Sequence, residues 1–77
     1  MNLNDLPVGQ AQRVKSIGQL VDYPELTSQL EDIGFIPGEQ VIILRKNSFG
    51  GDPIIVRIGL STFAIRKKEA SLIEVGI

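Results

Sequence analysis

Apolar residues along the 77-residue chain recur mostly at the short spacing of pleated strands, with one stretch at helical spacing. Gln10 to Ile17 alternates imperfectly, with Ala11, Val14 and Ile17 apolar and Arg13 and Lys15 polar, which predicts a first strand carrying a bulge. Gln40 to Lys46, with its apolar centre Val41 to Leu44, predicts a second strand. Pro53 to Ile58, Thr62 to Arg66 and Leu72 to Val75 predict a third, fourth and fifth. Turn chemistry separates them. Pro7-Val8-Gly9 reads as a turn. In Pro37-Gly38 the proline pre-sets φ and the glycine is free to take a positive one. Asn47 to Asp52 is a loop, Gly59-Leu60-Ser61 a tight connection, and Lys67 to Ser71 has room for one helical turn.

The helical stretch begins at Asp22-Tyr23-Pro24-Glu25, an Asp-x-x-Glu pattern suited to a helix start, with proline tolerated in the first turn. Leu26, Leu30 and Ile33 then form one stripe, while Thr27, Ser28, Gln29, Glu31 and Asp32 take the other faces. Gly34 is the expected left-handed cap, so the spacing predicts a helix from about Tyr23 to Ile33. So short a helix needs its stripe docked on a sheet. Five strands and one short inserted α-helix predict a mainly β fold, a small SH3-like β-barrel. Closure, or near closure, would protect the sheet edges.

Composition agrees. Eleven isoleucines and six valines supply stiff β-branched side chains, and eight glycines and four prolines punctuate them. The length predicts a single domain over residues 1–77. A chain this short buries only about 60% of its unfolded surface, so its large apolar residues belong to a thin core. With no cysteine there are no disulfides, zinc-thiolate sites or thiol nucleophiles. With no histidine, the commonest general base and metal ligand is missing. A domain held by packing alone suits a reducing cytoplasm. The longest apolar run, Val41 to Leu44, is far short of the roughly 20 residues of a membrane span. Met1 to Leu6 lacks the marks of a signal peptide, so the expectation is a soluble cytoplasmic protein.

The missing residue types narrow the chemistry. Without His or Cys no nucleophile–base pair can be built, which predicts a protein that is not an enzyme and needs no cofactor. Asp22, Glu25, Glu31, Asp32, Asp52 and Glu69 are better read as capping or solvated carboxylates than as an acid/base pair. No spacing of acidic residues suggests a metal site, so any iron connection must run through a partner. Gly50-Gly51-Asp52-Pro53 is not a phosphate loop, because no Gly-Lys-Ser/Thr follows and a strand comes next. Phe49 is either a core plug under that loop or an aromatic anchor for a partner. Arg66-Lys67-Lys68, with Arg45-Lys46, is the one basic concentration. It gives an alternative reading, a small nucleic-acid or ribosome-associated barrel. The net charge of −1 and the scarcity of aromatic residues favour a solvated strand end instead.

The motifs in order resemble the FeoA family of bacterial ferrous iron transport. They are Leu6-Pro7-Val8-Gly9; Ala11, Val14 and Ile17; Leu30-Glu31-Asp32-Ile33-Gly34-Phe35-Ile36-Pro37-Gly38; Val41 to Leu44; Phe49-Gly50-Gly51-Asp52-Pro53-Ile54; and Ala64-Ile65-Arg66-Lys67-Lys68-Glu69-Ala70 with Ile73 and Val75. The resemblance covers essentially the whole chain. It departs at Leu60-Ser61-Thr62, bulkier than the family's glycine-rich turn. The resemblance implies an SH3-like barrel with an inserted helix, a type also found at the C-terminus of repressors related to the diphtheria toxin repressor. No helix-turn-helix portion is present here. It further implies action beside FeoB, the membrane iron transporter with a cytosolic GTPase domain. Arg66 matches the family's basic position before Glu69-Ala70. It is suited to an internal acid, to a partner's carboxylate or phosphate, or, less naturally, to an arginine-finger role. The expected partner surface is Phe49, Gly50, Gly51 and Asp52 with Arg66, Lys67 and Lys68, which requires the two segments to share one side of the fold.

Overall fold

A computed structural model describes residues 1–48 and 50–76. Strand β1 spans Ala11–Ile17, β2 Gln40–Lys46, β3 Ile54–Ile58, β4 Ser61–Ile65 and β5 Ile73–Gly76. Each expected strand is present, with ends within one residue of those read from the pattern. Helix α1 covers Glu25–Asp32 and a second helix, α2, covers Lys67–Ala70. The strands form one antiparallel sheet in the order β4-β3-β2-β1-β5.

That order corrects the expected barrel. Strands β4 and β5 end the sheet and do not pair, so it is open. The edge of β5 is covered by the start of the chain instead. The Val75 N–H donates to the Met1 carbonyl at 2.9 Å, and Asn2 bridges Glu74. The Met1 ammonium also meets the Glu74 carboxylate at 2.7 Å. Curvature comes from two register shifts, between Val14 and Ser16 on β1 and between Ile43 and Arg45 on β2. Bulges of this kind bend a strand and increase its twist. The first lies on the strand whose alternation already broke in the sequence.

Alternation fills the inner face. Ile54, Val56 and Ile58 of β3, Val41 and Ile43 of β2, and Ile73 and Val75 of β5 are all buried. Leu3 and Leu6 complete this core, as expected of large apolar residues in so short a chain, but Val8, Val21, Ile36, Leu44 and Leu60 depart from that expectation and are exposed. Leu3 opens and Leu6 caps a 3-10 turn at Leu3–Asp5. The Asn2 side-chain oxygen accepts from the Asn4 N–H at 2.9 Å, and the Asp5 carboxylate accepts from the Asn2 N–H at 3.1 Å. Residues three apart eclipse in such a turn, so Leu3 and Leu6 both point inward.

Helix α1 starts two residues later than expected. Its N-cap is Pro24, and no side chain caps it. The preceding residues instead close a tight turn through Tyr23 N–H to Leu20 C=O at 3.1 Å, which leaves Asp22 outside the helix. Leu30 is buried and Leu26 and Ile33 are half-buried, as the stripe predicts. Thr27 also turns inward, donating its hydroxyl to the Gly18 carbonyl at 2.6 Å. The C-terminus follows expectation. Gly34 has φ +117°, its N–H bonds to Glu31 C=O at 3.0 Å, and Phe35 N–H bonds to Leu30 C=O at 3.0 Å. This is a Schellman cap with its usual apolar contact, since Leu30 and Phe35 are both buried. A Cβ at Gly34 would meet Ile58 only at ordinary contact distance, 3.7 Å, so backbone strain sets the penalty. Gly34→Ala is expected to cost about 1–2 kcal/mol, read as a lower urea midpoint with an unchanged slope.

Candidate functional site

The β2–β3 loop and the start of α2 meet at one corner. Gly50 and Gly51 have φ of +76° and +71°, consecutive left-handed residues that only glycine adopts without strain. The tight turn they allow, closed by Gly51 N–H to Asn47 C=O at 2.8 Å, carries Asp52 toward α2. There the Asp52 carboxylate accepts from the Lys67 N–H at 3.1 Å, an N–H that the helix start leaves unpaired. The Lys67 ammonium returns to the loop and donates to the Gly50 carbonyl at 3.0 Å. One residue therefore ties the two expected segments together with two bonds.

Arg66 and Lys68 flank this tie. The Arg66 N–H donates to the Glu69 carboxylate at 2.7 Å, which fixes the first turn of α2. The Arg66 guanidinium is exposed and has no ion-pair partner among the described residues. The Lys68 ammonium sits 4.1 Å from the centre of the Tyr23 ring, a cation–π contact that joins α2 to the turn before α1. Gly50, Gly51, Asp52, Arg66, Lys67 and Lys68 thus share a corner, while Phe49 lies outside the described residues.

Pattern reading missed a further member. The Asn4 side-chain amide donates to the Lys67 carbonyl at 2.9 Å, and the Lys46 ammonium donates to the Asn4 carbonyl at 3.4 Å. The available signal was Asn2 and Asp5, which cap the turn holding Asn4. Two of the five basic residues, Lys46 and Lys67, are therefore bonded to backbone carbonyls of this corner. Asp52→Ala is expected to lower stability by about 1 kcal/mol, as loss of a helix cap does, and to speed hydrogen exchange at the Lys67 amide.

Among the described residues no three His, Cys, Asp or Glu side chains converge as a metal site. No helix of the described residues is long and apolar enough to cross a membrane. An FeoA-domain family model matches residues 1–76. The chain belongs to the FeoA family. Its fold agrees with solved FeoA structures. The Stenotrophomonas maltophilia FeoA, described with zinc as a procaryotic SH3-domain protein and candidate activating factor for ferrous iron transport, is 33% identical at a TM-score of 0.88. That likeness covers 99% of this chain and 89% of the other. The iron(II) transport protein A of Clostridium thermocellum is 36% identical at a TM-score of 0.84, over all of this chain and 45% of that one. A manganese-dependent transcriptional repressor, 22% identical, shares the fold at a TM-score of 0.81 over 97% of this chain and 40% of its own. A comparison with curated protein sequences returns no match. This chain has neither histidine nor cysteine, so any zinc bound by its side chains would take carboxylate oxygens.

Proposed function

We propose that this FeoA-family chain is a non-enzymatic cytoplasmic accessory of bacterial ferrous iron uptake. It binds the cytosolic GTPase domain of a FeoB-type transporter through the corner formed by Gly50 to Asp52 and Arg66 to Lys68. The observation that supports this reading is the double tie of Lys67, to Asp52 and to Gly50, beside an exposed Arg66 guanidinium with no ion pair among the described residues. A planar, permanently charged fork held on a fixed corner is suited to a partner carboxylate or phosphate. Phe49 belongs to the proposed surface by its place in the same loop.

The test is an NMR titration of labelled protein with the GTPase domain of the same organism's transporter, with and without a GTP analogue. Shifts are expected at Gly50 to Asp52 and Arg66 to Lys68. Arg66→Ala is expected to keep the fold and weaken binding about tenfold or more, as loss of an arginine anchor does. No shift in any nucleotide state, or unchanged binding by the variant, overturns the reading. The nucleic-acid alternative gains no support from a corner whose Lys46 and Lys67 are already bonded internally. No RNA or DNA binding is expected even at low salt, where phosphate contacts are strongest.

A further inference from the structure

The two ends of the sheet are finished differently. The edge of β5 is covered by Met1 and Asn2, whereas β4 has no backbone partner beyond β3 among the described residues. Natural edge strands are blunted by charge, proline or a bulge. Strand β4, Ser-Thr-Phe-Ala-Ile, has no charge and no proline, and its register with β3 runs unbroken from Ser61 to Ile65.

The hairpin turn fixes which groups face out. Gly59 and Leu60 form a two-residue connection with Gly59 at φ +58°, and Ile58 lies opposite Ser61. Pairs in such a hairpin alternate between bonded and non-bonded, starting from the bonded pair at the turn. Thr62 and Ala64 therefore direct their N–H and C=O groups to the open edge, and the side chains of both are exposed.

We propose that β4 pairs antiparallel with β4 of a second copy, about a two-fold axis at Phe63. This register is self-consistent. Thr62 of each copy faces Ala64 of the other as a bonded pair, and the two half-buried Phe63 residues meet at the non-bonded position, where side chains come closest. The ends are complementary in charge. Arg66 of each copy arrives at the turn end of the other, where Leu60 is 94% exposed and the Glu39 carboxylate stands beside Gly59. Neither Arg66 nor Glu39 has an ion-pair partner among the described residues. Pairing joins opposite charges at both ends and covers Leu60 with the arginine stem, so the paired form and the transporter complex compete for Arg66.

The test uses the isolated full chain, so it does not depend on the transporter. Sedimentation over a concentration series is expected to show the mass rising from one copy to two. The Thr62 and Ala64 amides should gain exchange protection with concentration. Ala64→Pro removes an outward N–H without touching the β3 ladder, and Ala64→Lys places a charge on the edge. Both variants are expected to stay folded and to lose the dimer where the parent is paired. A one-copy mass at every concentration overturns the proposal, and so does a dimer that survives both variants. Protection of Thr62 and Ala64 that appears only with the GTPase domain also overturns it, giving the edge to a strand of another protein.

Discussion

Phe35→Ala is expected to lower the unfolding free energy by about 3–5 kcal/mol, the usual range for an aromatic deleted from a core. Phe35 is fully buried and the largest such side chain among the described residues. It sits just after α1, at the point where the Schellman cap turns the chain back against the sheet. The substitution spares the cap's backbone bond from Phe35 to Leu30 but removes the ring that packs above it. A domain of 77 residues has roughly 4–12 kcal/mol of total stability, so the variant should be largely or marginally unfolded. Urea titration followed by circular dichroism measures the loss. A change under about 1 kcal/mol would mean that the ring is not packed as described.

The second large effect lies at the start of the chain. Leu6→Ala is expected to cost about 2–5 kcal/mol, and Leu3→Ala a similar amount, because both side chains are fully buried. The double variant should lose more than either single one, though not the simple sum, since the two leucines share one turn. Val21 and Leu60 are the natural controls. They are almost wholly exposed, and Val21→Ser or Leu60→Ser should change the stability of the monomer by no more than about 0.5 kcal/mol. Thermal melts of dilute samples separate these classes. If the first six residues were a loose tail, Leu6→Ala would behave like the controls.

These contrasts locate what the sequence could convey. Strand positions were legible because alternation and turn residues are local signals, and five strands were found where they were expected. Closure was not legible, because it depends on what covers β5. The cover is Met1 and Asn2, held by a capped 3-10 turn too short to leave a periodic trace. The Asp22-x-x-Glu25 pattern misled for a related reason: the Leu20–Tyr23 turn took up the residues that would have capped α1. At the candidate corner, Asp52 could be recognised as a residue that bonds backbone N–H groups, but not that Lys67 supplies the N–H. Lys67 itself, between Arg66 and Lys68, looks in the sequence like one more solvated cation. Its two bonds reach back 15 and 17 positions, beyond any local pattern.

The place of β1 in the sheet has a consequence for how the protein is made. β1 lies between β2 and β5, and its residue Ile17 faces Ile73. During synthesis β1 can pair with β2 as soon as β2 emerges, but its other edge waits for β5. The helix and the β2–β3–β4 meander can form while the chain is still tethered. The inner face stays uncovered until Ile73 and Val75 clear the exit tunnel. Completion of the sheet is thus a late step, and until then the nascent chain leaves apolar strand positions uncovered.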